Sequence, residues 1–186
     1  MITTHTSSRF ERELATLKDE GSALLVVGTV PGEAYGDVTT QLLGNSIEGP
    51  RRRLLVTTDD RLADVVERLP DESMLPRRQN TRVISMSDRA RSAAATSGRE
   101  TGDIPMERVT TENLSKIGME ILDGIAEFDR VAGEFAPSEL RVSVDSLTSL
   151  LDVHEDEDVF RFIHIVNHLV RSKAGMIHYH LPIERD

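Results

Sequence analysis

Cysteine is absent from this 186-residue chain, aromatic residues make up only 4% of it, and lysine occurs just three times, at Lys18, Lys116 and Lys173. The first absence excludes disulfides, thiolate zinc sites and cysteine nucleophiles. No apolar run approaches the roughly 18 residues that a membrane span needs. The opening Met1–Ser8 lacks the basic and apolar regions of a signal peptide, so the expected location is the cytoplasm. Positive charge is also scarce, with 32 acidic residues against 22 basic ones and a net charge of −10. Non-specific nucleic-acid binding works by neutralising phosphates with a basic patch, so a DNA or RNA partner is not expected. An acidic, Lys-poor and Arg-rich surface suits a halophilic cell, where salt screens charge over a few ångströms. A GC-rich genome would make the same exchange of Lys for Arg.

What remains is an ordinary globular composition. Apolar residues reach 38%, and the length suits one domain, 1–186, with a sizeable core. Ser7–Glu20 places Phe10, Leu14 and Leu17 at helical spacing, a short amphipathic helix leading into a strand at Ala23–Gly28. Val38–Leu43 predicts one or two helical turns, Arg53–Thr58 a second strand, and Arg61–Leu69 a helix closed by Pro70. Arg82–Met86 predicts a third strand. Arg89–Arg108 has no period and almost no apolar anchor, and reads as a long mobile loop, either a partner-binding segment or a plain linker. Thr111–Ala132 is strongly helical, with Leu114, Ile117, Ile121, Ile125 and Phe128 on one stripe. Leu140–Asp145 predicts a fourth strand, Asp152–Asp158 an acidic loop, Val159–Lys173 a helix, and Met176–His180 a fifth strand before a charged tail at 182–186. Alternating βαβα with strands apolar on both faces predicts an α/β fold, three layers around a mostly parallel five-stranded sheet.

The chemistry suggested by this layout is phosphate binding. A buried strand opening into glycine residues, and a distant strand ending in Asp145, form the skeleton of a phosphate-binding nucleoside triphosphatase. The segment Gly28–Thr40 (GTVPGEAYGDVTT) nevertheless holds no lysine. The pattern G-x-x-x-x-G-K-[ST] requires Gly and Lys where this chain has Glu33 and Ala34. With Gly36 as the second glycine the loop is three residues too long, and Asp37 stands in the lysine's place. A carboxylate there repels a triphosphate.

These residues together resemble the core of the RecA/KaiC-type ATPases, and more closely the reduced KaiC-like proteins of halophilic archaea. GSALLVVG resembles the lead-in to the phosphate loop, RRLLVTTDD (Arg52–Asp60) the second strand with its terminal acids, and RVSVDSLTSLL (Arg141–Leu151) the Walker B strand. RSKAGMIHYHL resembles the next helix–strand unit, so the likeness spans about residues 8–182. The resemblance implies Asp145 as the Walker B carboxylate that organises Mg²⁺, and Asp59 and Asp60 at the catalytic-acid positions. It implies Gly28, Gly32, Gly36, Asp37, Thr39 and Thr40 as the degenerate phosphate loop, with Thr39 or Thr40 as the magnesium-binding hydroxyl.

Each of these residues also has a purely structural reading. Asp145 can cap its strand end, and Asp59 and Asp60 can start a helix. His164 and His168 lie one helical turn apart, and His178 and His180 share a strand face, with His154 in the acidic loop. Two such pairs on neighbouring elements could ligate a metal; partly buried or interface histidines are the alternative. Arg51, Arg52 and Arg53 read as a patch pairing with surface acids or a partner's acidic face. The expectation is a non-catalytic RecA/KaiC-like module, a pseudo-ATPase without cofactor. Its partner would be a second copy or an intact KaiC-like paralogue, and its role regulation or assembly. The alternatives are a weak enzyme using ATP and Mg²⁺, and a DNA-associated accessory factor.

Overall fold

The computed structural model describes residues 16–17, 19–28, 32–44, 49–58, 62–67, 69, 76–87 and 104–182. The elements in chain order are β1 (Ser22–Gly28), α1 (Gly32–Leu43), β2 (Arg52–Thr58), α2 (Leu62–Glu67), α3 (Arg77–Asn80), β3 (Thr81–Ser87), β4 (Met106–Thr110), α4 (Leu114–Ala132), β5 (Leu140–Val144), α5 (Thr148–Leu151), α6 (Asp156–Arg171) and β6 (Met176–Pro182). The strands form one sheet in the order β1-β6-β5-β2-β3-β4. Every pair is parallel. The α/β class is as expected, but the sheet has six strands rather than five. The additional strand is β4, which begins in the last three residues of the stretch read as a loop and runs on to Thr110. It is a sheet edge whose Glu107 and Arg108 face solvent, so only Ile104 and Val109 supply buried anchors. That is too few to leave a period in the sequence.

Side chains alternate across a strand, so register sorts the sheet into two faces. On one face Leu54, Val56, Ile84, Val142, Val144, Ile177 and Tyr179 pack beneath α4, α5 and α6 in a continuous apolar core. The predicted stripe of α4 is part of that core, with Ile117, Ile121, Ile125 and Phe128 buried. The other face lies beneath α1 and α2 and is apolar only in part, where Leu43, Leu55, Val65 and Val83 meet. Elsewhere it is polar and still buried: Arg53, Arg141, Ser143, Asp145, His178 and His180 all lie there. The expectation of strands apolar on both faces therefore holds for half of the sheet.

The arginine run is also interior, not a surface patch. Arg52 forms a buried ion pair with Glu139 at 2.9 Å. Arg53 donates from Nη2 to Gly44 O at 2.6 Å and from Nε to Leu43 O at 3.3 Å, while Arg141 Nη1 donates to Leu42 O at 3.3 Å. The last carbonyls of a helix have no partners within it and carry its negative end. Two guanidinium groups reaching over from the sheet thus satisfy the C-terminus of α1, whose own last turn contains no basic residue. Burial, then the nearby Arg51 and Arg77, bring the Arg53 pKa down to about 10, so it remains charged at neutral pH.

Helix ends account for one smaller departure and one cap. Asp156, Glu157 and Asp158, expected in an acidic loop, are the first turn of α6. Carboxylates are favoured there by the positive end of the helix. At the start of α4 the side chain of Asn113 accepts from Lys116 N at 2.9 Å. Asn113→Ala is expected to lower unfolding free energy by about 1 kcal/mol in urea titration, the usual worth of an N-cap.

Candidate functional site

In open parallel sheets, ligands bind beyond the carboxyl ends of the strands, where the winding direction reverses. Here the chain runs outward from β2 through β3 to β4, returns to β5, and then proceeds the other way to β6. The reversal falls between the adjacent strands β2 and β5. At that point stand Thr57, next to last in β2, and Asp145, the residue that follows β5. Asp145 continues the β5 register, its N–H donating to Val56 O at 2.7 Å.

A row of polar side chains crosses the sheet at this level, on the α1 face. It runs from His180 on β6 through Asp145 and Thr57 to Ser85 on β3, and all four are buried. Thr57 Oγ1 donates to Asp145 Oδ2 at 3.3 Å. From above, α1 lowers Thr39 onto the row, its Oγ1 lying 3.5 Å from His180 Nε2. Ser146 follows Asp145 in the left-handed region at φ 71°, an uncommon conformation for a residue with a side chain. That turn returns the chain so that Leu147 N donates to His180 O at 2.8 Å. Asp145 is 3% exposed, with Thr39 and His180 similarly enclosed.

One register step below, His178 sits in the same face with Ser143 as its neighbour on β5. The His178 and His180 rings meet edge to face, 5.1 Å between centroids. Burial above all, then His180 and Arg141, push the His178 pKa down to about 3, so it is neutral at physiological pH. Its Nε2 meets no hydrogen-bond partner among the described residues.

The structure separates the other residues singled out from the sequence. Gly28 ends β1 at φ 150°, where an L side chain is strained. Gly32 and Gly36, expected in a loop, belong to helix α1, as do Asp37, Thr39 and Thr40. On that helix Asp37 faces solvent while Thr39 faces the polar row. Asp59 and Asp60 lie outside the described residues, as do 29–31 and 89–103 of the two predicted loops and the tail residues 183–186. The two histidine pairs lie on opposite sides of the sheet: His164 and His168 are exposed on α6, whereas His178 and His180 point toward α1. They form no common site, and among the described residues no group of three metal-ligating side chains comes together. His154 Nε2 instead lies 2.7 Å from the Thr111 carbonyl. Thr57, Ser85 and Ser143 were not legible as site residues, because only the register places them beside Asp145.

The fold and this row define an all-parallel α/β protein with a closed polar row at the point where nucleotide-binding sheets open. Residues 21–186 match DUF7504, a family of unknown function, and the chain belongs to that family. No curated protein matches the chain. Among the described residues no helix is long and apolar enough to cross a membrane.

Proposed function

We propose that this protein is a non-catalytic RecA/KaiC-like module, a pseudo-ATPase that acts in the cytoplasm through protein contacts. Asp145 carries the reading. A magnesium-binding carboxylate faces the ion, its waters and the phosphates. Asp145 is instead buried and engaged by the Thr57 hydroxyl, in a row that Thr39 and His180 close from the side of α1. Neither lysine nor arginine occurs anywhere in Gly28–Thr40 to hold a β- or γ-phosphate. A role in contacts is supported by a groove of about 780 Å³ between α4 and α6, lined by Leu114, Gly118, Met119, Leu122, Phe162 and Ile165. Met119, Leu122 and Ile165 are 56%, 49% and 61% exposed, an apolar patch of the kind that marks contact surfaces. A second copy or an intact KaiC-like paralogue is the partner class in this reading.

The competing reading is a weak ATP- and Mg²⁺-dependent enzyme. It is favoured by the placement of Gly28, Thr39 and Asp145 at the same end of the sheet. Nucleotide titration separates the two. Any ligand that binds only the folded state raises stability, by about 2.7 kcal/mol at a hundred times Kd. In molar KCl, the melting temperature is expected to stay unchanged up to millimolar Mg·ATP or Mg·ADP. A rising melting temperature that Asp145→Asn abolishes would replace the pseudo-ATPase with the enzyme.

A further inference from the structure

The face formed by α4 and α6 is complementary to itself, in its apolar centre and in its charge. The two helices run parallel and in step. Gly118 lies against the Phe162 ring, and Lys173 Nζ donates to Asp129 Oδ2 at 2.7 Å, with 44 positions between the partners in both cases. Leu122 and Ile165 are one position off that spacing, so they stand at the same height on the two sides of the groove. Helical rotation puts Asp158, Arg161, Ile165, His168 and Ser172 along the outward side of α6, and all five are exposed. Ile165 lies two turns from Asp158 in one direction and two turns from Ser172 in the other. The charge of α6 is graded along the same line: its first turn holds Asp156, Glu157 and Asp158, and its last turn His168 and Arg171.

We infer that this face binds a second copy of the chain, around a two-fold axis that crosses both helices at Leu122 and Ile165. The inference rests on the reading of this protein as a module acting through contacts, and names the occupant of the groove that reading invokes. Charge carries the choice. Such an axis sets α6 antiparallel to α6 of the second copy, with Ile165 on Ile165, and α4 on α4 with Leu122 on Leu122. Asp158 then meets Ser172 of the second copy and its neighbour Arg171, and symmetry makes the same contact twice. The acidic first turn of each α6 thereby abuts the basic last turn of the other. An axis running along the helices would instead stack Asp156, Glu157 and Asp158 on the same three residues, and like charges oppose that arrangement. An unlike partner would have to carry the charge gradient of α6 in reverse, which a second copy supplies by symmetry alone. The opposed charges set the orientation, and burial of Met119, Leu122 and Ile165 supplies the affinity.

Light scattering on a dilution series of the full chain is expected to give twice its 20.7 kDa mass. Ile165→Asp should weaken the dimer about a hundredfold or more, because each dimer loses two central apolar side chains. If circular dichroism shows that this variant unfolds, Leu122→Lys asks the same question. The absence of cysteine leaves disulfide trapping free of background. Under mild oxidation Ile165→Cys is expected to link to itself. Phe160→Cys, 70% exposed but about 140° around the helix from Ile165, is expected to stay single. Asp158→Cys mixed with Ser172→Cys should give the mixed dimer in preference to either self-linked one. A single-chain mass throughout the series overturns the inference, as does a dimer that survives both Ile165→Asp and Leu122→Lys. Self-linking of Asp158→Cys alone overturns it too, since only an axis along the helices brings those residues together. The underlying reading fails separately: a melting temperature of the Ile165→Asp monomer that rises with Mg·ATP sinks the pseudo-ATPase whatever the mass. A single-chain mass with no nucleotide response sinks the dimer alone.

Discussion

Glu139→Ala is expected to destabilise the protein by about 3–5 kcal/mol, the range for removing one member of a buried ion pair. Glu139 is 5% exposed and Arg52 is 6% exposed. Besides accepting from Arg52 Nε at 2.9 Å, Glu139 accepts from Ala136 N at 3.0 Å through its second oxygen. Truncation leaves the Arg52 guanidinium enclosed, with the neutral Gln79 carbonyl, 3.2 Å from Nη1, to accept from it. Most of the loss is therefore the desolvation of an uncompensated charge and not the strength of the pair. That distinction is testable. Arg52→Met with Glu139→Leu, which removes both charges and keeps apolar volume, is expected to recover more than half of the loss in urea unfolding. A double variant no more stable than Glu139→Ala would show that packing alone explains the effect.

The second large effect is a loss of stability in acid, set by His178. In the unfolded chain a histidine has a pKa near 6.5, whereas burial holds His178 at about 3 in the fold. Above pH 6.5 both states are neutral and the residue contributes no pH dependence. Between 6.5 and 3 the unfolded chain takes up a proton that the folded one refuses, so stability falls by about 1.4 kcal/mol per pH unit. Below pH 3 both states are protonated and the loss saturates. From pH 7 to pH 4.5 the expected contribution is about 2–3 kcal/mol. His178→Gln removes the titration while keeping a polar side chain of similar size. The wild-type stability curve, measured by urea unfolding, should fall below that of the variant by this amount over the interval. Parallel curves would mean that His178 is protonated in the fold.

Much of the fold is written in local pattern. The stripe of α4 and the apolar runs of β1, β2, β3 and β5 are visible because their neighbours in sequence share their burial. The parts that escaped lack such neighbours. Among the described strands β4 is paired on one side only, and Ile104 and Val109 are isolated anchors in a polar stretch. The arginine run looked like surface because three adjacent charges usually are. Its burial depends on Glu139, 87 positions from Arg52, and on the end of α1. The candidate site divides in the same way. Asp145 and the glycine at the end of β1 were legible as a pattern. The use of Asp145 was not, because Thr57, Thr39 and His180 come to it from three separate elements. Those contacts decide whether the carboxylate faces an ion or a neighbour.

The pairing of β1 with β6 also governs how the molecule is assembled. Ser22 through Gly28 form one of the earliest strands to be synthesised, and their register partners are Met176 through Pro182. No nearer segment in the described sheet borders them, so β1 cannot find its place until Met176–Pro182 have left the ribosome. Such a long-range closure gives the fold a high contact order and a slow final step. Until it occurs, Leu25 and Val27 stand on an unpaired strand, a state open to aggregation.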